Sequence, residues 1–499
     1  MLDYILTQTD EYLQSMDKTK RKKIGQFFTS KATAEFMASM LINQKENLEI
    51  LDPGAGSGIL SAALIDKLQS TCVKTINLTL YENDENVLPL LHNNMEYISK
   101  NSRVTVNYKI VEKNYILENE EDFNATLLAH ENLNKYDFII CNPPYLKISK
   151  DAPEALGMPE VCFGAPNMYF LFMSMALFQL KENAEMVFII PRSWTSGAYF
   201  KKFREYLLLE GKIKHIHLFV SRDKVFDKEN VLQETIIINV IKTKENYDSI
   251  KISSTESNSD FKYINEFVVP YKLVVSDDEN QFVYLPINQE EVDVLNKVHK
   301  FKNTLQDIGI KLKTGLTVAF RHGELLHKNS NDQTVPVIYS VHFNDGVINF
   351  PTETDKKQYI ETHRKGLIQE NKDYLFIKRF TSKEEKRRIQ PAIYLKDVCE
   401  KYNYISTDNK INFIDSVNKT KLTKDEIYGL FIVFNSTLYD KYYRILNGST
   451  QVNATEINYM HVPCRNELAK MGEIIRNNND LSVAMCDKIL EELQDGKIR

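Results

Sequence analysis

The sequence predicts an α/β fold in which a mostly parallel sheet carries helices on both faces. Two observations indicate this fold. Short apolar runs alternate with segments of helical spacing over the first half of the chain. A glycine-rich turn directly follows the first of these runs and opens a helix. Strands separated by helical patterns favour a parallel sheet, because each parallel crossover needs a long connection.

Seven strands are predicted in this half of the chain. LEILD and INLTLYE are the first two, and each is followed by a helical pattern, ILSAALIDKLQ and VLPLLHNNMEYI. VTVNYKIVEKN and YDFIIC follow, and then the apolar helix MYFLFMSMALFQL. AEMVFII is the fifth strand, and the helix YFKKFREYLLLEG leads to IKHIHLFV and VLQETIIINVIK. Ligands bind at the carboxyl ends of strands in such sheets, so a site is expected there.

The length of 499 residues indicates two domains, since one hydrophobic core serves about 250 to 300 residues. Beyond the polar segment STESNSDFKY the alternation weakens, and loops rich in Lys, Asn and Asp separate short strands. We therefore predict a first domain at 1–262 and a mixed α/β domain at 263–465. Helical spacing of apolar residues predicts a helical tail at 466–499 that packs on the second domain.

The composition is that of an ordinary globular protein, with 43% hydrophobic and 26% charged residues. The formal net charge of −5 neither favours nor excludes nucleic acid, because a local basic surface is enough to bind DNA. The six scattered cysteines form no CxxC pair, which indicates reduced thiols and a cytoplasmic protein. The most apolar stretch is shorter than the about 20 residues that a bilayer crossing needs, so no membrane association is expected.

The turn DPGAGSG follows the first predicted strand. Gly54, Gly56 and Gly58 let a backbone approach a ligand closely. Asp52 can accept a hydrogen bond or face a cation. No GK[ST] follows, so the turn is not a phosphate loop, and by itself it suits either a nucleotide-type cofactor or a tight structural turn. Glu82 ends the second strand, where a carboxylate can bind both hydroxyls of a ribose, although an isolated Glu there could simply be solvated.

The fourth strand ends in the tetrapeptide NPPY. Proline fixes φ near about −65° and donates no hydrogen bond. Pro143 and Pro144 therefore hold the chain after Asn142 extended and leave its carbonyls free to accept. An Asn-Pro pair after a strand also starts an ordinary turn, so the tetrapeptide alone leaves both interpretations open.

In this order, GQFFTS, DPGAGSG, YEND and NPPY resemble the motifs of the adenine-N6 DNA methyltransferases that use S-adenosylmethionine. The resemblance is to the gamma arrangement found in type II restriction-modification systems. It covers roughly residues 18–245 and continues more weakly to about residue 465. It implies the S-adenosylmethionine-dependent methyltransferase fold, with a Rossmann-like, mostly parallel seven-stranded sheet. On this reading 1–262 is the catalytic domain and 263–465 is the target-recognition domain, which binds double-stranded DNA.

The resemblance also implies which residues bind the cofactor. Gln26, Phe27 and Thr29 would close over its methionine part. Further cofactor residues would be Asp52, Gly54, Ala55, Gly56, Gly58, Glu82 and Asn83, with Glu82 on the ribose.

The resemblance places the chemistry at the NPPY tetrapeptide. Asn142, which also borders the cofactor, and the carbonyl of Pro143 would accept hydrogen bonds from the adenine amino group. Pro144 would keep both in place. Tyr145 would stack on the base, and Phe226 would cover the other face of the base.

One position departs from the family. The third strand is usually followed by Asp-Phe, whose Asp contacts the cofactor adenine, but here it is followed by Asn114 and Tyr115. An Asn can still accept from an amine through its amide oxygen. Asn114 is favoured because it directly follows the strand, and Asp122, which precedes Phe123, is the alternative.

The implied reaction needs no metal. An adenine amino group is a poor nucleophile, since its lone pair is delocalised into the ring, and the base must first be flipped out of the duplex. Two acceptors aimed at the N–H bonds would favour a pyramidal nitrogen in the transition state. The segment before GQFFTS is too short for a nuclease domain, so a cognate restriction endonuclease is expected to be a separate chain. The protein is expected to be a monomer.

Several stretches of the second half carry side chains that read base edges or bind phosphate: TGLTVAFRHG, FIKRFTSKEEKRRIQ and FNSTLYDKYYRILNGSTQVNATEINYMHVP. The run KEEKRR fits a solvated face equally well, and KTKRKK either touches phosphate or solubilises the N-terminal helix.

Two alternative functions remain. NPPY also serves methyltransferases that act on RNA or on a protein glutamine amide, which generally lack a long recognition region. A non-catalytic DNA-binding relative is disfavoured by the intact glycine turn and NPPY.

Overall fold

The protein forms two compact units, Met1–Asn288 and Gln289–Arg499. The structure is a computed structural model, and it describes residues 1–15, 29–42, 44–125, 135–220, 234–258, 260–381, 385–417, 421–448 and 450–498.

The first unit is built on a nine-stranded mixed sheet. Its strands are β1 (Asn47–Asp52), β2 (Thr75–Tyr81), β3 (Thr105–Val111), β4 (Tyr136–Cys141), β5 (Leu180–Pro191), β6 (Gly211–Phe219), β7 (Thr235–Lys242), β8 (Ser249–Thr255) and β9 (Asn265–Pro270). They lie in the order β3-β2-β1-β4-β5-β7-β6-β8-β9. The pairings from β3 to β5 are parallel, whereas β7 runs antiparallel to β5 and β6. The parallel half therefore brings the carboxyl ends of β1 to β4 to one edge of the sheet.

Helices connect these strands. They are α1 (Leu2–Ser15), α2 (Lys31–Ser39), α3 (Ile59–Leu68), α4 (Leu88–Asn101), α5 (Tyr115–Asn124), α6 (Pro153–Leu156), α7 (Met168–Gln179), α8 (Lys201–Glu210) and α9 (Tyr271–Val274). Every residue of α7 is buried, as expected for a helix that is apolar on all sides. Over the described ranges, no helix has both the length and the apolar character that a bilayer crossing requires.

The seven predicted strands are present, and the sheet continues with two more, β8 and β9. β8 pairs in parallel with β6, and β9 pairs antiparallel with β8. The polar segment between them is a connection within one sheet, in which the carboxylate of Asp260 accepts from the backbone amides of Glu256 and Ser257. The predicted domain boundary after residue 262 therefore falls inside the first compact unit, which runs to Asn288.

The second unit mixes helices and short strands. Its helices are α10 (Gln289–Val298), α11 (Lys424–Asn435), α12 (Thr437–Leu446), α13 (Ala454–Asn458), α14 (Arg465–Asn478) and α15 (Val483–Gln494). Its strands are β10 (Asn303–Thr304), β11 (Ile310–Thr314), β12 (Leu326–His327), β13 (Thr334–Ile338), β14 (Phe343–Asn344), β15 (Val347–Ile348), β16 (Tyr359–Glu361), β17 (Gln369–Glu370), β18 (Tyr374–Lys378), β19 (Pro391–Tyr394), β20 (Tyr404–Thr407), β21 (Ile411–Ser416) and β22 (His461–Val462).

In the part of the second unit that the structure describes, the strands form three sheets. One has six strands in the order β11-β21-β18-β19-β15-β14, one has five in the order β12-β16-β13-β20-β17, and β10 pairs with β22. The last two helices, α14 and α15, pack against α11, and Arg465 forms an ion pair with Glu426 at 2.6 Å.

Candidate active site

A cavity of about 660 Å³ lies at the carboxyl ends of β1 to β4. The loop after each strand contributes to its wall. Residues 54–57 follow β1, residues 82–86 follow β2, residues 113–115 follow β3, and Asn142 and Pro144 follow β4. Folding thus brings the glycine turn, the acidic end of the second strand and NPPY to one place, although they are far apart in the sequence.

The glycine turn is held from two helices. Gly56 and Gly58 have φ angles of 53° and 86°, a left-handed conformation that glycine adopts without strain. The hydroxyls of Thr9 in α1 and Ser57 are hydrogen bonded at 2.8 Å. The side-chain amide of Asn94 in α4 donates to the carbonyl of Ser57 at 2.8 Å. The turn is therefore a preformed wall of the cavity.

Asp52 ends β1, is fully buried and is not among the residues that line the cavity. The hydroxyl of Ser61 in α3 donates to its Oδ2 at 2.8 Å. Burial raises the pKa of Asp52 to about 7. Hydrogen bonds from Ser61 and from the amide of Gly54 oppose this rise, and the charge of Glu82 adds to it. Asp52 thus links β1 to the helix after the turn, and its predicted contact with the cofactor stays a prediction.

The carboxylate of Glu82 accepts hydrogen bonds from backbone amides in two loops of the cavity wall. Its Oε2 accepts from the amide of Gly56 at 2.9 Å. Its Oε1 accepts from the amides of Asn83 and Asp84, each at 2.8 Å. Burial raises the pKa of Glu82, and these three hydrogen bonds oppose the rise. A carboxylate offers about four lone-pair positions, so this one can accept a further hydrogen bond from a ligand hydroxyl.

Asn114 lines the cavity, whereas Asp122 is not among the lining residues. Asn114 caps α5, because its Oδ1 accepts from the backbone amides of Ile116 and Leu117. Its Nδ2 donates to the carboxylate of Glu154 at 2.8 Å. Asn114 therefore lies at the cavity, with its amide oxygen engaged in capping the helix, and its contact with a cofactor stays a prediction.

The NPPY tetrapeptide directly follows β4. The side-chain amide of Asn142 donates to Oγ1 of Thr29 at 3.1 Å, and both residues line the cavity. Pro143 is buried, and Pro144 forms part of the cavity wall. The amide of Asn142 is therefore held in one orientation at the cavity, on a backbone stiffened by two prolines.

Tyr145 is half-buried and anchored at its hydroxyl. The hydroxyl donates to the carbonyl of Ile189 in β5 at 2.9 Å. Its ring meets Tyr169 edge to face, with 6.4 Å between the centroids. Burial holds the pKa of Tyr145 well above its usual value, so the phenol stays protonated and keeps donating. The orientation of the ring is thus fixed from β5.

Three residues predicted for the site lie outside the described ranges. They are Gln26 and Phe27 of the GQFFTS segment, and Phe226. Their predicted roles stay predictions.

One wall of the cavity is apolar, and the sequence motifs did not indicate it. Leu146, Ile148, Met168 and Phe172 form this wall. The ring of Phe172 lies 3.5 Å from the position that a Cβ on Gly54 would take. Met168 and Phe172 belong to α7, which is apolar on every side, so helical spacing gave no sign of which residues face a ligand.

The polar stretch that closes the second unit is used largely within the protein. The side chain of Asn458 pairs with the backbone of Leu312, accepting from its N–H at 2.7 Å and donating to its carbonyl at 3.1 Å. Tyr443 and Asn447 both donate to the carboxylate of Glu456. These buried side chains hold the fold together, so their polar character reflects internal bonding.

The run KEEKRR is likewise partly internal. Arg388 is fully buried, and its guanidinium lies 5.8 Å from the ring centroid of Tyr443. The backbone amide of Arg388 donates to Asp440 at 2.7 Å. Arg387 donates to the carbonyl of Ser436 at 2.9 Å. The two arginines that end the run therefore pack into the unit and do not form a solvated face.

Comparisons with known proteins agree with this architecture. Residues 60–226 match the family described as Eco57I restriction-modification methylase. The type II methyltransferase M.BsuBI of Bacillus subtilis is 33% identical over 97% of this chain and 98% of its own length. The type II methyltransferase M.PstI of Providencia stuartii is 35% identical over 91% of this chain and 90% of its own length.

Among solved structures, the type IIL restriction-modification enzyme MmeI in complex with DNA aligns with 99% of this chain and 73% of its own. The TM-score is 0.53 at 14% identity, so the likeness is one of fold alone. The two sequence relatives align over nearly the whole chain, and their identity exceeds 30%. The chain therefore belongs to the type II methyltransferases of restriction-modification systems.

Proposed function

We propose that this protein methylates N6 of a flipped-out adenine within a short site of double-stranded DNA. The observation that carries the proposal is the position of Asn142. Its amide lies at the cavity on a Pro-Pro backbone and is oriented by Thr29. A hydrogen-bond acceptor fixed in this way suits an exocyclic amine. The family membership supports methyl transfer to DNA, and NPPY supports adenine as the base.

S-adenosylmethionine is the cofactor, and it supplies a methyl group bound to a positively charged sulfur. The residues of the cavity fit it. Glu82 can accept from a ribose hydroxyl, and Asn114 lies in the loop after β3, where the adenine of the cofactor is expected. Ile148 and Phe172 offer an apolar wall to an aromatic ring. The backbone of the glycine turn faces the cavity, as a close-lying ligand requires.

Asn142 and Pro143 perform the chemistry in this proposal. The amide oxygen of Asn142 and the carbonyl oxygen of Pro143 accept from the two N–H bonds of the adenine amine. Both acceptors are fixed before the reaction, so they stabilise the nitrogen as it becomes pyramidal without having to reorganise. Fixed groups of this kind are worth about 3 kcal/mol each in a transition state.

Tyr145 holds the base. Flipping a base out of a duplex costs a few kcal/mol of stacking and pairing, and an aromatic face recovers part of that cost. The hydroxyl bond to Ile189 fixes the ring of Tyr145, so it can serve as that face. Phe226 is proposed for the opposite face.

The second unit is proposed to recognise the DNA sequence. The catalytic residues and the cofactor residues all precede residue 263, which leaves the second unit free for this role. A cognate restriction endonuclease would then be a separate chain, and the methyltransferase would act as a monomer.

The decisive experiment incubates the protein with labelled S-adenosylmethionine and duplex DNA, and then analyses the nucleosides by mass spectrometry. Label in N6-methyladenine supports the proposal, and label in a methylated cytosine refutes it. Ribosomal RNA and a release factor serve as alternative acceptors in parallel reactions, and preferential labelling of either would also refute it. Sequencing of the modified DNA would then give the recognition site. Asn142→Ala is the control for contaminating activity.

A further inference from the structure

Three loops of the second unit converge on the turn that joins β20 to β21. The loop after β11 is fixed to this turn by backbone hydrogen bonds, from Gly315 to Ile411 at 2.9 Å and from Thr317 to Thr407 at 2.8 Å. A Cβ on Gly315 would lie 2.0 Å from the carbonyl oxygen of Asp408, so only glycine permits this approach. The loop after β11 therefore packs closely against the turn.

The two other loops are fixed at the same place. The carbonyl of Leu367 accepts from the hydroxyl of Ser406 at 2.6 Å, which anchors the loop between β16 and β17. The backbone amide of Arg379, just after β18, donates to the carbonyl of Lys410 at 3.0 Å. The guanidinium of Arg379 donates to the carbonyl of Asn409 at 3.0 Å.

The converging loops carry a set of cations and aromatic rings, exposed except for the half-buried Arg379, which we name the basic aromatic edge. It consists of Phe320, Arg321, Arg364, Lys365, Arg379, Phe380 and Lys410. Arg321, Arg364, Lys365 and Lys410 are exposed. The concentration of positive charge stands out in a chain whose formal net charge is −5.

Its two phenylalanines are unusually exposed. Phe320 is 83% exposed and Phe380 is 46% exposed. Each lies beside the arginine next to it in sequence. The guanidinium of Arg321 is 5.6 Å from the ring centroid of Phe320, and that of Arg379 is 5.5 Å from that of Phe380. The rings thus stand at the surface, each beside an arginine, in segments that begin next to the turn.

We propose that the basic aromatic edge is a DNA-contacting surface, whose cations pair with phosphates and whose Phe320 touches sugar or unstacked base. The proposal rests on the proposed function and names the surface that would bring the duplex to the enzyme. Phosphodiesters supply the anionic partner that clustered arginine and lysine require. Bases and sugars supply an apolar partner for the exposed rings, and stacking of a base on an aromatic side chain tolerates any sequence.

The ionic part is tested by the salt dependence of binding to a duplex of random sequence. Each phosphate contact contributes about 0.9 to the slope of log affinity against log salt. Arg364→Gln and Lys410→Gln should each flatten this slope by about that amount. Lys488→Gln, which removes an exposed lysine of α15, is the matched control and should leave the slope unchanged.

The apolar part is tested with a fluorescent side chain. Trp194 is the one tryptophan of the chain and is fully buried, so its emission provides a constant background. Phe320→Trp adds an exposed reporter, and its emission should change on addition of the duplex. Tyr263→Trp is the control, because Tyr263 is 84% exposed in the first unit and outside the basic aromatic edge. Phe320→Ala should weaken binding by about 5-fold or more without altering the salt slope.

The proposal that the basic aromatic edge contacts DNA would be overturned by two results together. These are wild-type salt slopes in Arg364→Gln and Lys410→Gln, and unchanged emission of Phe320→Trp. The proposed function fails on a different result, the absence of N6-methyladenine in DNA that the protein does bind. Cofactor binding should be unchanged in every variant of the edge, since none of these residues lines the cavity in the first unit. The two failures are therefore distinguishable.

Discussion

The side chain of Asn142 donates a hydrogen bond to the hydroxyl of Thr29 at 3.1 Å, which joins the end of β4 to the segment that opens α2. The bond determines which way the amide of Asn142 is turned. It also connects the residue proposed for catalysis with a residue predicted to close over the cofactor. Thr29 would then have two roles, because it would bind the cofactor and also position the amide of Asn142.

Thr29→Val should therefore slow methyl transfer by about 10-fold to 100-fold, because a misplaced reacting geometry costs this much. Thr29→Ser keeps the hydroxyl and should retain most of the activity. Single-turnover rates with saturating cofactor and DNA measure the effect. Equal rates for the valine and serine variants would show that the hydroxyl has no positioning role.

Asn142→Ala should lower turnover by about 100-fold or more, while binding of cofactor and DNA persists. The reason is that the amide accepts most strongly as the amine nitrogen becomes pyramidal, so its loss removes transition-state stabilisation. Calorimetry with the cofactor and a DNA-binding assay accompany the rate measurement. If the variant bound cofactor or DNA more weakly but kept its turnover rate, Asn142 would contribute to binding in the ground state and not to the transition state.

Asn114→Ala should weaken cofactor binding by about 10-fold, whereas Asp122→Ala should bind as the wild type does. Asn114 lines the cavity and Asp122 is not among its lining residues. Alanine also removes the helix cap, at about 1 kcal/mol of stability. Asn114→Asp keeps the cap and serves as the control for folding. If only the Asp122 change weakened binding, the assignment of Asn114 would be wrong.

A chain that ends at Asn288 should fold and bind cofactor but lose sequence-specific methylation. A chain that ends after residue 262 should be less stable by about 3 kcal/mol or more. It lacks β9, and it also lacks Asn280, whose carbonyl accepts from the fully buried guanidinium of Arg204 at 2.8 Å. Urea unfolding of the two fragments measures the difference. Unchanged sequence specificity in the longer fragment would refute the role of the second unit.

His217 should make the first unit sensitive to acid. Burial lowers its pKa to about 3, the charge of His215 acts in the same direction, and Asp260 opposes it. The folded protein therefore keeps His217 neutral, while the unfolded chain takes up a proton below about pH 6.5. Above about pH 6.5 His217 does not lower the free energy of unfolding. As the pH falls toward 3, His217 lowers this free energy by up to about 1.4 kcal/mol per pH unit.

His217→Gln removes this titration. The free energy of unfolding of the glutamine variant should fall less than that of the wild type between about pH 7 and about pH 5. The difference between the two proteins cancels the contributions of titrating groups that do not interact with His217, and it retains the coupling between His217 and His215. Parallel curves for the two proteins would show that His217 is not held neutral.

The outline of the fold and the motif residues could be predicted from the sequence because both are local properties. Seven strands of the first unit follow from the periodicity of apolar residues, which reflects which side of a strand or helix is buried. The segments just after those strands carry Glu82, Asn114 and Asn142, and a parallel sheet brings such segments together whatever its other details.

Only the tertiary structure decided which distant segments meet. β8 and β9 belong to the first sheet. Strand pairing depends on which strand edge is available, and the local spacing of apolar residues does not show this. Phe172 lines the cavity, although it belongs to a helix that is apolar on all sides. Arg388 is buried, although it belongs to a charge run that resembles a solvated face. The tertiary structure also directed the hydroxyl of Tyr145 to Ile189. In each case the environment of the side chain is set by residues far away in the sequence, and local periodicity carries no information about them.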